Sequence, residues 1–267
     1  MNCKICNSIS NHLFSGRILN KYNIGYFRCA DCGFIQTEDP YWLKDAYANP
    51  IHTLDVGLVN RNIVFSNFTA RVLNKCKIGS KKFLDYGGGY GLFVRLMRDK
   101  GYDFYYLDEY SENIFSKDFT LAELKPVNEF GFLTAYEVFE HIPNPLTEII
   151  KMFNYSNSIL FTTQLIPETK ISKISDWWYF MPETGQHISF YTKKTLEVMA
   201  KVNNANFFSN GYLHMITKEE FNSSHLQYNI IIKMFCYLSN RLCIPKNKVN
   251  RCAEDFELIK AKYNSSS

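Results

Sequence analysis

Apolar and polar residues follow one another along residues 81–205 in blocks that predict strands and helices in turn. Short apolar runs predict strands at Phe83–Tyr86, Phe104–Leu107, 132–135 and 159–163. Apolar residues at helical spacing predict helices at 92–100, 111–116, 145–154 and 193–203. Strands and helices that recur in steps of roughly 20 to 30 residues predict a doubly wound, mostly parallel sheet of the α/β class.

The pattern differs on both sides of this α/β region. Residues 1–40 carry strand and turn signals around four cysteines, and residues 41–80 predict a helical connector. The connector has apolar residues at helical spacing, namely Val59, Ile63, Val64, Phe68, Val72 and Leu73. Residues 211–267 predict a strand at 211–216 and helices at 226–242 and 248–263. We therefore divide the chain into the segments 1–40, 41–80, 81–210 and 211–267.

Composition and charge exclude several classes of protein. Of the 267 residues 46% are apolar and 21% charged, which is typical of a globular chain that can bury a core. The formal net charge of +4 indicates no particular anionic partner. No apolar run reaches the ~20 residues of a membrane-spanning helix, and the first residues resemble no secretory signal. We therefore expect a soluble cytoplasmic protein whose thiols are reduced.

Two CxxC pairs, Cys3 with Cys6 and Cys29 with Cys32, lie in the first segment. Each pair can present two thiolates to one side of an ion, and four soft ligands suit a tetrahedral Zn²⁺. Gly33 lets the backbone turn its amides toward the sulfur atoms. Buried free cysteines or a redox CxxC are the alternatives, but a redox motif needs only one pair, at the start of a helix. The spacing therefore predicts a closed, structural zinc site.

A glycine loop of the form D-x-G-x-G-x-G runs from Asp85 to Gly91, at the end of a predicted strand. Leu92 or Val94 occupies the position of the third glycine in a dinucleotide fingerprint, and no Gly-Lys-Ser/Thr of a P-loop follows. The loop therefore favours a compact ligand that is not held by its phosphates. Asp108 ends the next strand, where a carboxylate can accept hydrogen bonds from both hydroxyls of a ribose.

These motifs resemble those of the class I S-adenosylmethionine-dependent methyltransferases. Besides the glycine loop and Asp108, residues 134–145 are similar to the family's EVxEHxxxP motif, and residues 186–196 to its H-x-x-F-Y-S…L signature. The resemblance implies a Rossmann-like domain with S-adenosylmethionine as its cofactor. It implies that the cofactor is bound by Asp85, Gly87, Gly89, Gly91, Asp108, Tyr136 and Glu137. A four-cysteine segment before such a domain is also the layout of a subgroup that methylates sugars and related small metabolites.

The resemblance further implies two catalytic candidates. A histidine at the position of His187 is the general base in the sugar methyltransferases, and an ordinary histidine titrates in the range that a base needs. Gln186 stands where an acid often precedes this histidine, and His187 could instead cap the next strand. His141 is expected near the methionine end of the cofactor, where a structural role is an equal alternative. Tyr47 and Arg61 are further candidates on the cofactor or substrate side.

The sequence thus predicts methyl transfer to a small metabolite, such as a sugar, a nucleotide-sugar or another precursor in polysaccharide biosynthesis. An RNA methyltransferase with a zinc ribbon on nucleic acid is the alternative. An RNA-binding surface needs a dense stripe of basic residues. The first segment has no such stripe, because its basic residues are only Lys4, Arg17, Lys21 and Arg28. A cofactor-binding subunit without catalysis would show a damaged glycine loop, whereas this loop is intact. The pattern determines neither the acceptor atom nor the oligomeric state.

Overall fold

The computed structural model describes residues 1–48, 50–77, 81–124, 130–227 and 252–265, and within these ranges the strands form two sheets. The N-terminal sheet contains β1 (Ser10–Ile18), β2 (Tyr22–Cys29), β3 (Ile35–Thr37) and β8 (Ser189–Phe190). The central sheet contains β4 (Phe83–Tyr86), β5 (Phe104–Leu107), β6 (Phe132–Tyr136), β7 (Ser158–Thr162), β9 (Asn206–Ser209) and β10 (Leu213–Thr217). The α-helices are α1 (Leu43–Ala46), α2 (Leu58–Lys75), α3 (Leu92–Asp99), α4 (Pro145–Phe153), α5 (Lys193–Val202) and α6 (Cys252–Ser265).

The central sheet has the strand order β5-β4-β6-β7-β10-β9. Strands β4 to β7 are parallel, and β10 is antiparallel to both β7 and β9. Leu133 and Phe161 are fully buried, as expected for parallel strands covered on both faces. The prediction of an α/β fold with a mostly parallel sheet is confirmed. Because β5 and β6 lie on opposite sides of β4, the strand order reverses at β4, the place where such sheets bind ligands.

Most predicted elements are present, with ends that differ by one or two residues. The strands Phe83–Tyr86 and Phe104–Leu107 begin and end as predicted. Strand β9 was not predicted, and β10 joins the central sheet beyond residue 210. The helix predicted at 226–242 falls outside the described residues except at its first two positions, and α6 overlaps the helix predicted at 248–263. None of the described helices is long and apolar enough to cross a membrane.

The helix predicted at residues 111–116 is wrong, because this segment is irregular, with bends at Ser111 and Phe115. Its backbone amides bond to groups other than the carbonyl four residues earlier. The amide of Ser111 donates to Asp108, and that of Ser116 to the side chain of Asn113. The amide of Ile114 donates to the carbonyl of Tyr90. Short polar side chains that capture amides in this way compete with a helix.

The helix predicted from the apolar spacing of the connector is present as α2, but its first apolar residues are not buried. Val59 and Ile63 are 57% and 45% exposed, whereas Phe65, Val72 and Leu73 are buried. Arg61, on the opposite side of the first turns, lines a large cavity beside the central sheet. The first turns of α2 therefore face a solvent-filled space, and only the later turns pack on the core.

The N-terminal sheet is completed by a strand from the α/β region. Strand β8 pairs antiparallel with β3, with Ile35 opposite Phe190. The hydroxyl of Thr192 caps α5 by accepting the amide of Thr195, and it donates to the carbonyl of Cys32 at 2.7 Å. These contacts tie the cysteine segment to the chain directly after residue 187. The first segment therefore helps to position the predicted catalytic loop.

Candidate functional site

A cavity of about 1270 Å³ opens at the carboxyl ends of β4, β5 and β6. Its walls come from the glycine loop, the start of α2, residues 136–143 and residues 178–187, with Phe256 and Glu257 of α6 at one side. The predicted site residues that line it are Asp85, Gly87, Gly89, Asp108, Tyr136, Glu137, His141 and His187. Gly91 lies instead behind the loop, against Asn113 and Ser116. Tyr47 and Arg61 also line the cavity.

The glycine loop leaves open space where a ligand can approach its backbone. Gly87 and Gly89 have φ of +70° and +55°, the left-handed region that favours glycine. A Cβ atom at Gly87 would lie 2.6 Å from Val138, so close packing excludes a side chain there. A Cβ atom at Gly89 would find Ile51 as its nearest neighbour, at 3.6 Å. The backbone at Gly89 therefore fits a ligand in van der Waals contact. We call the open space beside the Cα atom of Gly89 the cradle, and a larger side chain at this position would fill it.

Asp108 is fixed beside the cradle by three backbone amides. Its Oδ2 accepts the amide of Gly89 at 2.9 Å, and its Oδ1 accepts those of Tyr110 and Ser111 at 2.7 and 2.9 Å. A carboxylate has about four acceptor positions, so one position remains for a ligand hydroxyl. This arrangement suits a ribose edge at the cavity wall.

Asp85 is a buried carboxyl group, only 3% exposed, at the end of β4. Its Oδ1 accepts the hydroxyl of Thr134 at 2.6 Å. Burial raises the pKa of Asp85 to about 7, and the hydrogen bond from Thr134 opposes part of this rise. A cationic ligand in the cavity would favour the ionised form of this carboxyl group.

Tyr136 and Glu137 lie where β6 ends. The Tyr136 ring stacks on Phe65 at 4.5 Å, and its hydroxyl is 2.6 Å from that of Thr69. Glu137 has a φ of +54°, a strained conformation outside glycine that is common at functional sites. Its Oε1 accepts the hydroxyl of Thr162 at 2.7 Å. Burial, followed by the neighbouring Glu140, raises the pKa of Glu137 to about 7.

The rings of His141 and His187 meet edge to face, with centroids 4.8 Å apart. Nδ1 of His187 lies 2.7 Å from the carbonyl oxygen of Tyr179. A carbonyl oxygen only accepts, so Nδ1 carries the hydrogen and the lone pair is on Nε2. Nδ1 of His141 likewise lies 3.2 Å from the carbonyl oxygen of Gln186, and 3.1 Å from the hydroxyl of Tyr47. Each ring therefore offers an unprotonated Nε2.

Both histidines are neutral at physiological pH. Burial lowers the pKa of His187 to about 3, and the adjacent His141 adds to the lowering. Burial also lowers the pKa of His141 to about 4. The expectation that His187 titrates like an ordinary histidine is therefore wrong for this site, because the charged ring would lose its hydration.

The hydrogen bonds of Tyr179 to His187 and Glu140 have no signal in the sequence. Gln186 does not orient His187, since its side-chain Nε2 donates to the carbonyl of Ala46 at 2.9 Å. The carbonyl of Tyr179 takes the orienting role instead, and the Tyr179 hydroxyl donates to Oε1 of Glu140 at 2.6 Å. Burial raises the pKa of Glu140 to about 7. Glu140 was recognised in the sequence as part of a motif. Its connection to His187 through Tyr179 arises only from folding.

The charge of the cavity suits a cationic ligand. Its acidic lining residues are Asp55, Asp85, Asp108, Glu109, Glu137, Glu140, Glu148 and Glu257. Its described basic lining residues are Lys44, Arg61 and Lys151. Arg61 pairs with Asp55 at 2.7 Å and Lys151 with Glu148 at 2.9 Å. S-adenosylmethionine, which carries a sulfonium and an ammonium group, fits this balance.

The four cysteines of the first segment form one cluster. Sγ of Cys3 lies 3.6 Å from that of Cys32, and Sγ of Cys6 lies 3.4 Å from that of Cys29. The amide of Cys32 donates to the sulfur of Cys29 at 3.4 Å, the kind of contact that stabilises a thiolate ligand. Four sulfur atoms about 3.8 Å apart would surround a tetrahedral Zn²⁺ with bonds of about 2.3 Å. The cluster fits zinc.

The family model described as a methyltransferase domain matches residues 61–208. Among solved structures, human N-acetylserotonin methyltransferase in complex with S-adenosylmethionine is 13% identical, with a TM-score of 0.39; the match covers 52% of this chain and 48% of that one. An O-methyltransferase family protein from Burkholderia thailandensis is 9% identical with a TM-score of 0.47, over 67% and 63% of the two chains. The chain thus spans about half the length of the human protein. No curated protein sequence matches at a significant level.

Proposed function

The chain belongs to the methyltransferase-domain family, and from this premise we propose that it transfers the methyl group of S-adenosylmethionine to a small molecule bound in the cavity, most simply a sugar or another precursor of a glycan. The observation that carries the proposal is the continuity of one cavity from the glycine loop to the two histidines. Its volume of about 1270 Å³ exceeds the ~300 to 1,000 Å³ typical of a site for one small ligand. Cofactor and acceptor can therefore share it.

The proposed cofactor-binding residues form two groups, according to the part of the cofactor that each would contact. The backbone at Gly89 would lie against the nucleoside, and Asp108 would accept from its ribose. Asp85 and Glu137 would face the cationic amino acid end, together with Tyr136. The bound cofactor supplies an electrophilic methyl group beside a neutral leaving sulfur, so the protein's main task is to align the acceptor.

Two features of the lining support a sugar as the acceptor. Trp178 is 67% exposed at the cavity, and an indole ring can stack on the C–H face of a pyranose. Carboxylates outnumber cations among the described lining residues, so repulsion disfavours a diphosphate group. Within this proposal a sugar without phosphate is a better acceptor than a nucleotide-sugar.

His187 and His141 are the catalytic residues of the proposal. The unprotonated Nε2 of each ring is the atom that can act at the acceptor's reacting group, since Nδ1 is engaged with a backbone carbonyl. The cysteine cluster holds a structural Zn²⁺ in the same proposal. We also place the reaction in the cytoplasm, where thiols stay reduced.

The test is methyl transfer from radiolabelled S-adenosylmethionine by the full chain. We expect label in free sugars, weaker label in nucleotide-sugars, and none in RNA. The matched control is Gly89→Val, which should abolish the signal because a branched side chain fills the cradle. Label in RNA alone would contradict the proposal, and so would the absence of label from every small acceptor offered.

A further inference from the structure

We propose that Gln36 is a positioning residue of the candidate site, which connects the first cysteine pair to the two histidines of the cavity. Binding of a metal by the four cysteines would then help to orient His187. The effect on methyl transfer rests on the proposed function, whereas the effect on the orientation of His187 does not.

The first argument is the hydrogen bonding of Gln36, whose side chain is only 1% exposed. Its Oε1 accepts the amide of Lys4, the residue after Cys3, at 2.9 Å. Its Nε2 donates to the carbonyl of Asn2 at 2.9 Å. A buried amide group that lost such partners would lose stability. Gln36 therefore fixes the turn that carries the first cysteine pair against β3.

The second argument is the pairing of β3 with β8. Gln36 in β3 lies opposite Ser189 in β8. The amide of the next residue, Thr37, donates to the carbonyl of Ile188 at 3.1 Å. Ile188 directly follows His187 in the chain. The two-residue strand β8 pairs with no other strand among the described residues, so β3 holds the backbone beside this histidine.

The third argument is that the chain at β8 also holds the segment of the other histidine. The amide of Ile188 donates to the carbonyl of Glu140 at 2.8 Å. The hydroxyl of Ser189 donates to the carbonyl of Ile142 at 2.7 Å. Glu140 and Ile142 are the two neighbours of His141 in the chain. A displacement of β3 would therefore move the backbone of both histidines.

The carbonyl that orients His187 is held by the same N-terminal sheet. It belongs to Tyr179, and the next residue, Phe180, is fully buried. The ring centroid of Phe180 lies 5.1 Å from that of Tyr26 in β2 and 4.8 Å from that of Phe190 in β8. The sheet thus fixes both the backbone of the histidine and the acceptor of its Nδ1 hydrogen bond.

The second cysteine pair is bonded to the same part of the chain. The carbonyl of Cys32 accepts the hydroxyl of Thr192 at 2.7 Å and that of Thr195 at 2.9 Å. The first pair is connected to β8 through Gln36, and the second through Thr192. A structural metal supplies folding energy to a small segment, so its loss would loosen both connections. Close-packed interiors pass on such displacements.

The test follows the ring of His187 by nuclear magnetic resonance of the full chain labelled with ¹⁵N-histidine. Two-bond ¹H–¹⁵N spectra distinguish a ring protonated at Nδ1 from one protonated at Nε2, and the signal is assigned by its loss in His187→Ala. In the wild type with zinc on its cysteines, we expect one signal with the proton on Nδ1. Removal of the zinc by chelation should broaden this signal or shift it toward a mixture of the two tautomers.

Gln36→Leu removes both hydrogen bonds and leaves the four cysteines in place. We expect the same change in the His187 signal, a kcat at least about 10-fold lower because alignment is lost, and an unchanged affinity for S-adenosylhomocysteine. Glu38→Leu is the matched control. Glu38 also accepts a backbone amide of this sheet, that of Gly25 at 3.0 Å, but this bond leads to neither cysteine pair nor β8. The control should leave the signal and kcat unchanged.

Thr192 decides the question if Gln36→Leu does not fold. Thr192→Val removes the hydroxyl that bonds to Cys32 and should change the His187 signal and kcat in the same way. Thr192→Ser keeps the hydroxyl and should behave as the wild type does. An equal change in both variants would assign the effect to packing of the methyl group and overturn the inference.

The outcomes separate this inference from the proposed function. An unchanged His187 signal after removal of zinc or in Gln36→Leu overturns the inference, and so does an equal change in Glu38→Leu. If the wild type methylates a sugar, a changed signal with an unchanged kcat also overturns it, while the proposed function stands. A signal that depends on Gln36 and on zinc, in a protein that methylates no small acceptor, supports the inference and overturns the function.

Discussion

The backbone amide of Gly89 donates to Oδ2 of Asp108 at 2.9 Å. The glycine loop and the acid at the end of β5 are therefore one unit, although 18 residues separate them in the chain. A change in either residue displaces the other. The first two predictions follow from this relationship.

Gly89→Val should abolish binding of S-adenosylmethionine. The branched side chain fills the space in which the ligand meets the backbone, at a φ that valine disfavours. Titration calorimetry measures the loss. Gly101→Val is the control, because Gly101 also has a positive φ but its Cβ would meet nothing within 4 Å. Equal loss of binding in both variants would mean that strain, and not occupation of the cradle, is the cause.

Asp108→Ala should weaken cofactor binding by roughly 1.5 to 3 kcal/mol, the range for hydrogen bonds to a charged group. Calorimetry with S-adenosylhomocysteine measures this change. Asp118→Ala removes an exposed acid that does not line the cavity and should leave the affinity unchanged. An Asp108→Ala affinity equal to that of the wild type would exclude Asp108 as the ribose acceptor.

Cofactor affinity should rise with pH up to about 7 through Asp85. Burial raises the pKa of this carboxyl group to about 7, so below that pH the group is protonated and neutral. A cationic ligand favours the ionised form, and its binding must then release a proton. Calorimetry at pH 6 and pH 8, in buffers of different ionisation enthalpy, detects the proton. The dependence should diminish in Asp85→Asn, and an identical pH profile in that variant would assign the proton to another group.

Cys29→Ser should remove one zinc per chain and lower the free energy of unfolding by at least about 4 kcal/mol, a loss that few single substitutions reach. It should also disturb the loop of residue 187, because Cys32 is bonded to Thr192. Metal analysis and thermal unfolding are the measurements. Cys76→Ser, at a half-buried thiol outside the cluster, is the control. Wild-type protein that contains no zinc when prepared without chelator would rule out the zinc site.

His187→Ala should lower kcat by roughly 10² to 10⁴ and leave cofactor affinity intact, since the group acts where the acceptor loses its proton. His141→Ala should raise the cofactor's Kd at least as much as it lowers kcat, because its ring also contacts Tyr47 of the connector. Steady-state kinetics and calorimetry separate the two effects. If His141→Ala abolishes turnover and His187→Ala is nearly silent, the two roles are exchanged.

Local patterns were sufficient for the strands of the central sheet and for the glycine loop. The run Phe83–Tyr86 is apolar because it is buried on both faces, and the glycines after it are required by positive φ angles. Neither property depends on distant residues. The helix predicted at 111–116 failed in part for the opposite reason, since the amide of Ile114 bonds to the carbonyl of Tyr90, which lies 24 residues earlier in the chain.

The sequence by itself determined the fold class, the family and the residues that could bind a cofactor or zinc, because each of these depends on short, local motifs. Only the tertiary structure decided the protonation and the partners of the catalytic candidates. His187 is neutral because folding buries it, and it is oriented by the carbonyl of Tyr179 and not by the residue before it. Glu140 meets the two histidines only because residues far apart in the chain converge at the carboxyl edge of the sheet. Burial and convergence are properties of packing, which no local pattern contains.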